Sequence, residues 1–86
     1  MWIIELAFGE SAERLAARPA HRDKLTALHA QGQVLLAGPL ADDSGAVIVL
    51  DVPDREAVDR ILTADPYFAT TGVTVVAVRE WKPFLR

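Results

Sequence analysis

Two side chains in this sequence can hold and pass a proton if the fold brings them together: the imidazole of His21 and the carboxylate of Asp65. His21 follows Arg18-Pro19-Ala20 and shares helical spacing with Leu25 and Leu28, which puts a titratable ring on an otherwise apolar stripe. Asp65 follows a second helical pattern, in the run Asp65-Pro66-Tyr67, where the proline stops the helix and fixes the backbone beside the carboxylate. A carboxylate on one ring nitrogen sets the tautomer and stabilises the protonated ring, so the other nitrogen is left to exchange a proton with a substrate. The competing readings are structural. His21 can be a packed ring bonded to a backbone carbonyl, and Asp65 can be a turn residue bonded to the amide of Tyr67.

Other residues are weaker candidates. Arg18, next to a proline, is expected to be extended at a helix entrance, where it either attracts an anionic group or stays a solvated charge. Gly38-Pro39 ends a strand with little bulk, which opens room for a ligand or only shapes a loop. Tyr67, Phe68, Trp81 and Phe84 can line a cavity or fill the core. His29 reads as helix surface, and Asp42 and Asp43 as ordinary turn residues. The two histidines are not spaced to share a metal, the carboxylates are dispersed, and neither a glycine-rich phosphate loop nor a nucleophile elbow is present. No cofactor is therefore expected, and an enzyme reading narrows to proton transfer.

The elements that must position these residues follow from periodicity. Met1 to Phe8 alternates as a strand and ends at Gly9. Ser11 is an N-cap for a short helical piece, Ala12 to Arg18; a second helix starts at Pro19, carries His21 in its first turn and stops at Gly32. In that position the partial positive charge of the helix start would oppose the protonated ring. Val34 to Ala37, closing on Gly38-Pro39, and Ala46 to Leu50 read as a hairpin around Asp42-Asp43-Ser44-Gly45. Asp54 caps a helix running to about Ala64, and Val73 to Glu80 is the last strand.

The order β-α-β-β-α-β is ferredoxin-like: an α+β unit with both helices on one face of an antiparallel sheet. The first and last strands nevertheless carry apolar residues on both sides, and 51% of the 86 residues are hydrophobic. One small domain, residues 1–86, is expected to use the second sheet face as an interface, with another copy as the simplest partner and a higher oligomer as an extension. A net charge of −3 with scattered basic residues argues against nucleic acid, including the RNA-binding use of this fold. The apolar runs are too short for a membrane span, no signal peptide is evident, and cysteine is absent, which together point to the cytoplasm.

At these same residues the chain resembles the YciI-like (YCII-related) family. The matching pieces run in family order: Arg18-Pro19-Ala20-His21, Leu25, Leu28-His29, Gly32, Leu36-Ala37-Gly38-Pro39, Ala64-Asp65-Pro66-Tyr67, Gly72 and Pro83-Phe84. The resemblance implies a ferredoxin-like fold paired into a dimeric α/β barrel, with a His-Asp pair in a pocket that falls here on His21 and Asp65. It also implies a reaction type, since one branch dehydrochlorinates chlorinated hydroxyquinols. The loop Leu40 to Gly45 is shorter than in longer members, so substrate choice does not carry over. Two functions are expected to compete. One is a homodimeric lyase, isomerase or dehydrochlorinase-like enzyme acting on a small anionic or phenolic metabolite bound by Arg18, Gly38, Pro39 and Tyr67. The other is a non-catalytic dimeric ligand-binding or accessory module.

Overall fold

A computed structural model describes all residues, Met1 to Arg86. Strand β1 (Trp2–Phe8) leads to helix α1 (Ala12–Ala30), the hairpin β2 (Val34–Pro39) and β3 (Gly45–Leu50), helix α2 (Arg55–Ala64), a single 3₁₀ turn (Pro66–Ala69) and β4 (Val73–Glu80). The sheet is antiparallel in the order β2-β3-β1-β4, the ferredoxin-like topology. No helix is long and apolar enough to cross a membrane.

Strand alternation decides what the helices cover. Ile4 pairs with Ile48 and Val78, and Leu6 with Ala46 and Val75, so one face collects aliphatic side chains from three strands. Ile4, Ile48, Leu50 and Val58 of α2 are fully buried there, each contributing about 1.5–3 kcal/mol by leaving water. Val34, Tyr67 and Phe68 complete the core. The opposite face carries Ile3, Ala7, Val47 and Val49, with no helix over it, and Leu36 at its edge is 70% exposed. Trp81 and Phe84 stay outside the core, and Phe84 is almost fully exposed.

The largest departure from sequence expectation is at Pro19. Instead of two helical pieces, α1 runs unbroken from Ala12 to Ala30 with Pro19 inside it. Proline removes one i to i−4 hydrogen bond and normally costs about 3 kcal/mol in a helix interior. The loss falls on the wet side, where Pro19 is exposed and water can serve the freed carbonyl of half-exposed Leu15. The inward stripe of Arg14, Ala17, His21, Leu25 and Leu28 continues past it without interruption, and its packing holds the helix together. Arg18 is accordingly helical rather than extended, and His21 stands mid-helix rather than in a first turn. The charge at the helix start therefore does not act on the ring, since that effect fades within one turn.

The helix ends as its sequence dictates. Ser11 caps it by accepting from the Arg14 amide at 3.1 Å. At the other end Gly32 takes a left-handed φ of 79°, which lets the Gln33 amide donate to the Leu28 carbonyl at 2.9 Å and turns the chain into β2.

Candidate functional site

The site is assembled on the inward face of α1, the start of the 3₁₀ turn and the β2–β3 hairpin. His21 and Asp65 are both buried, 7% and 5% exposed, and Nδ1 of the ring lies 2.6 Å from Oδ2 of the carboxylate. Asp65 reaches this position because α2 ends at Ala64 and Pro66 forces the chain into a new turn. Its other oxygen, Oδ1, accepts from the Tyr67 amide at 3.0 Å. The turn-capping role and the histidine contact, alternatives at the level of sequence, thus occupy different oxygens of one carboxylate.

That turn also delivers Tyr67 and Phe68 to the ring. Tyr67 stacks on His21 with centroids 3.9 Å apart and planes 10° from parallel, and Phe68 meets it edge-on at 5.2 Å. With Nδ1 committed to Asp65, the ring has one nitrogen left. Nε2 makes no hydrogen bond within the chain, and it is not among the sealed, unpartnered polar atoms, so it keeps contact with solvent.

His21 lines a cavity of about 610 Å³ between α1 and the β2–β3 half of the sheet. Arg18, Gly38, Pro39 and Tyr67 line the same cavity, and His29, exposed on the helix, stands at its margin. Asp65 does not; it lines a second cavity of about 450 Å³ between the two helices. The His21–Asp65 pair therefore sits in the wall between the two spaces, its ring toward the first and its carboxylate toward the second.

Arg14 is the residue that sequence reading missed. It is 7% exposed and lines the His21 cavity, with Nη1 3.5 Å from the Tyr67 hydroxyl and the guanidinium 4.2 Å above the Phe8 ring. Nη2 lies 3.3 Å from Oδ2 of Asp43, and Nε is buried with no partner. The Tyr67 hydroxyl, first, and Asp43 hold this cation above the ordinary arginine range, against the opposing effect of burial. A signal was available: Arg14 occupies the same helical stripe as His21, two turns earlier. Asp43 was missed too, as an ordinary turn residue. It is the one non-glycine residue with a left-handed φ, 59°, and its loop is pinned by Leu40 N–H to Gly45 O at 2.8 Å and Phe8 N–H to Ser44 O at 2.9 Å.

The cavity lining carries three arginines (Arg14, Arg18 and Arg22) against one carboxylate, Asp43, in a chain whose net charge is −3. Such a concave, predominantly basic lining concentrates positive potential, which favours anions over cations. No group of three or more His, Cys, Asp or Glu side chains is placed to hold a metal ion.

Comparison with known proteins bears on the fold and the family. The solved structure of 5-chloro-2-hydroxyhydroquinone dehydrochlorinase (TftG) from Burkholderia phenoliruptrix AC1100, in complex with 2,5-dihydroxybenzoquinone, is similar over 95% of this chain and 94% of its own. The TM-score is 0.61 at 15% sequence identity, a likeness of fold. Protein YciI of Escherichia coli O6:H1 and Protein YciI of Shigella flexneri are each 32% identical over 80 residues, covering 81% of this chain and 82% of the relative. The model of the YCII-related domain matches residues 1–82, nearly the whole chain, and the protein therefore belongs to the YCII-related, YciI-like family.

Proposed function

We propose that this protein is a small homodimeric enzyme in which His21 and Asp65 move a proton on an anionic or phenolic metabolite held in the cavity. One observation carries the reading: a ring anchored at Nδ1 by a buried carboxylate 2.6 Å away, its Nε2 unbonded, beside an arginine-lined cavity. Neutral His21 donates from Nδ1 to Asp65, which leaves the Nε2 lone pair to accept a proton from substrate. The charge that then appears on the ring lies against the Asp65 carboxylate on its buried Nδ1 side, where the attraction is less screened than in open water. Arg18 holds an acidic group of the substrate, Tyr67 forms the aromatic wall, and Gly38 and Pro39 leave space for its body.

Dehydrochlorination is a reaction that such a base serves, and it is the reaction of TftG, whose fold this chain shares. The sheet face away from the helices, where Leu36 is exposed and Ile3, Ala7 and Val47 are half-buried, supports pairing with a second copy. Sedimentation equilibrium tests that half of the proposal, and a monomer at micromolar concentration would remove it.

The catalytic half is tested by screening chlorinated hydroxyquinols, other phenols and small hydroxy acids with the native protein and with His21→Gln. The expected result is a fall of about 10²- to 10⁴-fold in turnover; equal rates would end the catalytic reading. The close packing of Tyr67 and Phe68 on His21 favours a second reading, a ligand-binding module in which the pair is a structural hydrogen bond. That reading requires no turnover of any substrate, and a His21→Gln protein that loses stability while still binding ligand.

A further inference from the structure

Arg14 presents a problem that its neighbours do not solve. Arginine is almost never this buried unless paired, because taking a charge out of water is costly. Charge-assisted hydrogen bonds normally measure about 2.7–2.9 Å. Beyond the Phe8 ring beneath its guanidinium, Arg14 has a 3.3 Å contact to Asp43 and a 3.5 Å contact to a neutral hydroxyl, and its Nε–H has no acceptor. Its carboxylate partner is itself loosely held, since the Asp43 side chain is 54% exposed on a loop and the Arg14 side chain only 8%.

We propose that Arg14 is a second, more deeply buried anion anchor of the cavity, in addition to Arg18, and that Asp43 is its built-in competitor. A carboxylate or phenolate entering the cavity displaces the Asp43 side chain from Nη2, and a carboxylate also takes the vacant Nε–H in a two-point clasp. The planar fork of guanidinium matches a carboxylate in this way, and lysine does not. The Asp43 carboxylate then swings into solvent, where its exposure already places most of its surface. Arg14 and His21 lie on one stripe of α1 and both line the cavity, so a ligand gripped at Arg14 has its remaining body directed along the helix toward Nε2. This rests on the anionic-ligand reading given above, but not on catalysis.

The test uses benzoate, with isosteric but neutral benzamide as the control. Binding is followed by ¹⁵N-resolved NMR of the arginine Nε–H signals in the full chain, up to about 50 mM, where a millimolar binder saturates. The expected result is that benzoate, and not benzamide, shifts the Arg14 Nε–H signal. Arg14→Lys should weaken benzoate roughly tenfold or more, as the loss of a bidentate charged contact implies. Asp43→Asn should tighten it by about three- to tenfold, because the internal competitor is gone. That second variant alters only an exposed loop carboxylate, so it decides the matter even if Arg14→Lys fails to fold. Benzoate binding that is unchanged or weaker in Asp43→Asn, equal binding of benzamide, or no Nε–H shift in either protein would overturn the proposal. If His21→Gln keeps the same benzoate response while no substrate is ever turned over, the anchor stands and the catalytic reading falls.

Discussion

Helix α1 sends two nitrogen-bearing side chains into the same cavity wall, and each meets an aspartate from a distant part of the chain, yet the two pairs are built differently. His21 meets Asp65 at 2.6 Å with both side chains under one-tenth exposed. Arg14 meets Asp43 at 3.3 Å, and there only the arginine is buried. The first carboxylate is immobilised by a proline-driven turn and by a second hydrogen bond from the Tyr67 amide. The second sits on a hairpin loop, and nothing but Arg14 claims it among basic side chains. A fully fixed pair suits orientation of a ring, whereas a half-open pair suits exchange of one anion for another.

Replacing each aspartate by asparagine is the sharpest way to break this contrast, and the larger effect belongs to Asp65. Asp65→Asn keeps the shape but can present an N–H to Nδ1, which reverses the tautomer and turns the unbonded Nε2 from acceptor to donor. A stability loss of about 1–3 kcal/mol is expected in denaturant unfolding, together with loss of nearly all turnover of any substrate. A neutral outcome would mean that the short contact does not orient the ring. Asp43→Asn should cost under about 1 kcal/mol, because its half-exposed pair is screened by solvent. A loss as large as that of Asp65→Asn would erase the distinction between the pairs.

The smallest effect concerns the turn that carries Arg14. Ser11 Oγ, which caps α1, lies 2.9 Å from Glu13 Oε2. The backbone amide of Glu13, and after it the Ser11 hydroxyl, hold this carboxyl below its usual range. A carboxyl lowered in the folded state contributes stability above its unfolded pKa and loses it as pH falls through the folded value. Glu13→Gln should therefore lower Tm slightly at neutral pH, and the difference should vanish in acid. A difference that persists below the carboxylate range would assign the effect to shape rather than charge.

Much of the fold could be read along the chain. The alternation of Trp2 to Phe8, the caps at Ser11 and Asp54 and the left-handed turn at Gly32 are local features, and each appears at or within a residue or two of its expected place. Pro19 defeats a local reading because propensity argues for a break there, while the stripe buried on the far side of the helix outweighs it. Arg14 was passed over for a related reason: an arginine on a helix reads as solvated, and only the Phe8 ring, the Tyr67 hydroxyl and the Asp43 loop closing around it make it buried.

The sequence by itself determined the order of elements, the stripe that carries His21, and the break at Asp65-Pro66, because each depends on neighbours a few residues apart. Only the tertiary structure decided that Asp65 reaches His21 across 44 positions, that Arg14 and Asp43 meet across 29, and that His21, Arg14 and Asp43 line one cavity while Asp65 lines the next. Those contacts depend on how the helix lies across the sheet and where two loops end, which long-range packing sets and no local pattern encodes.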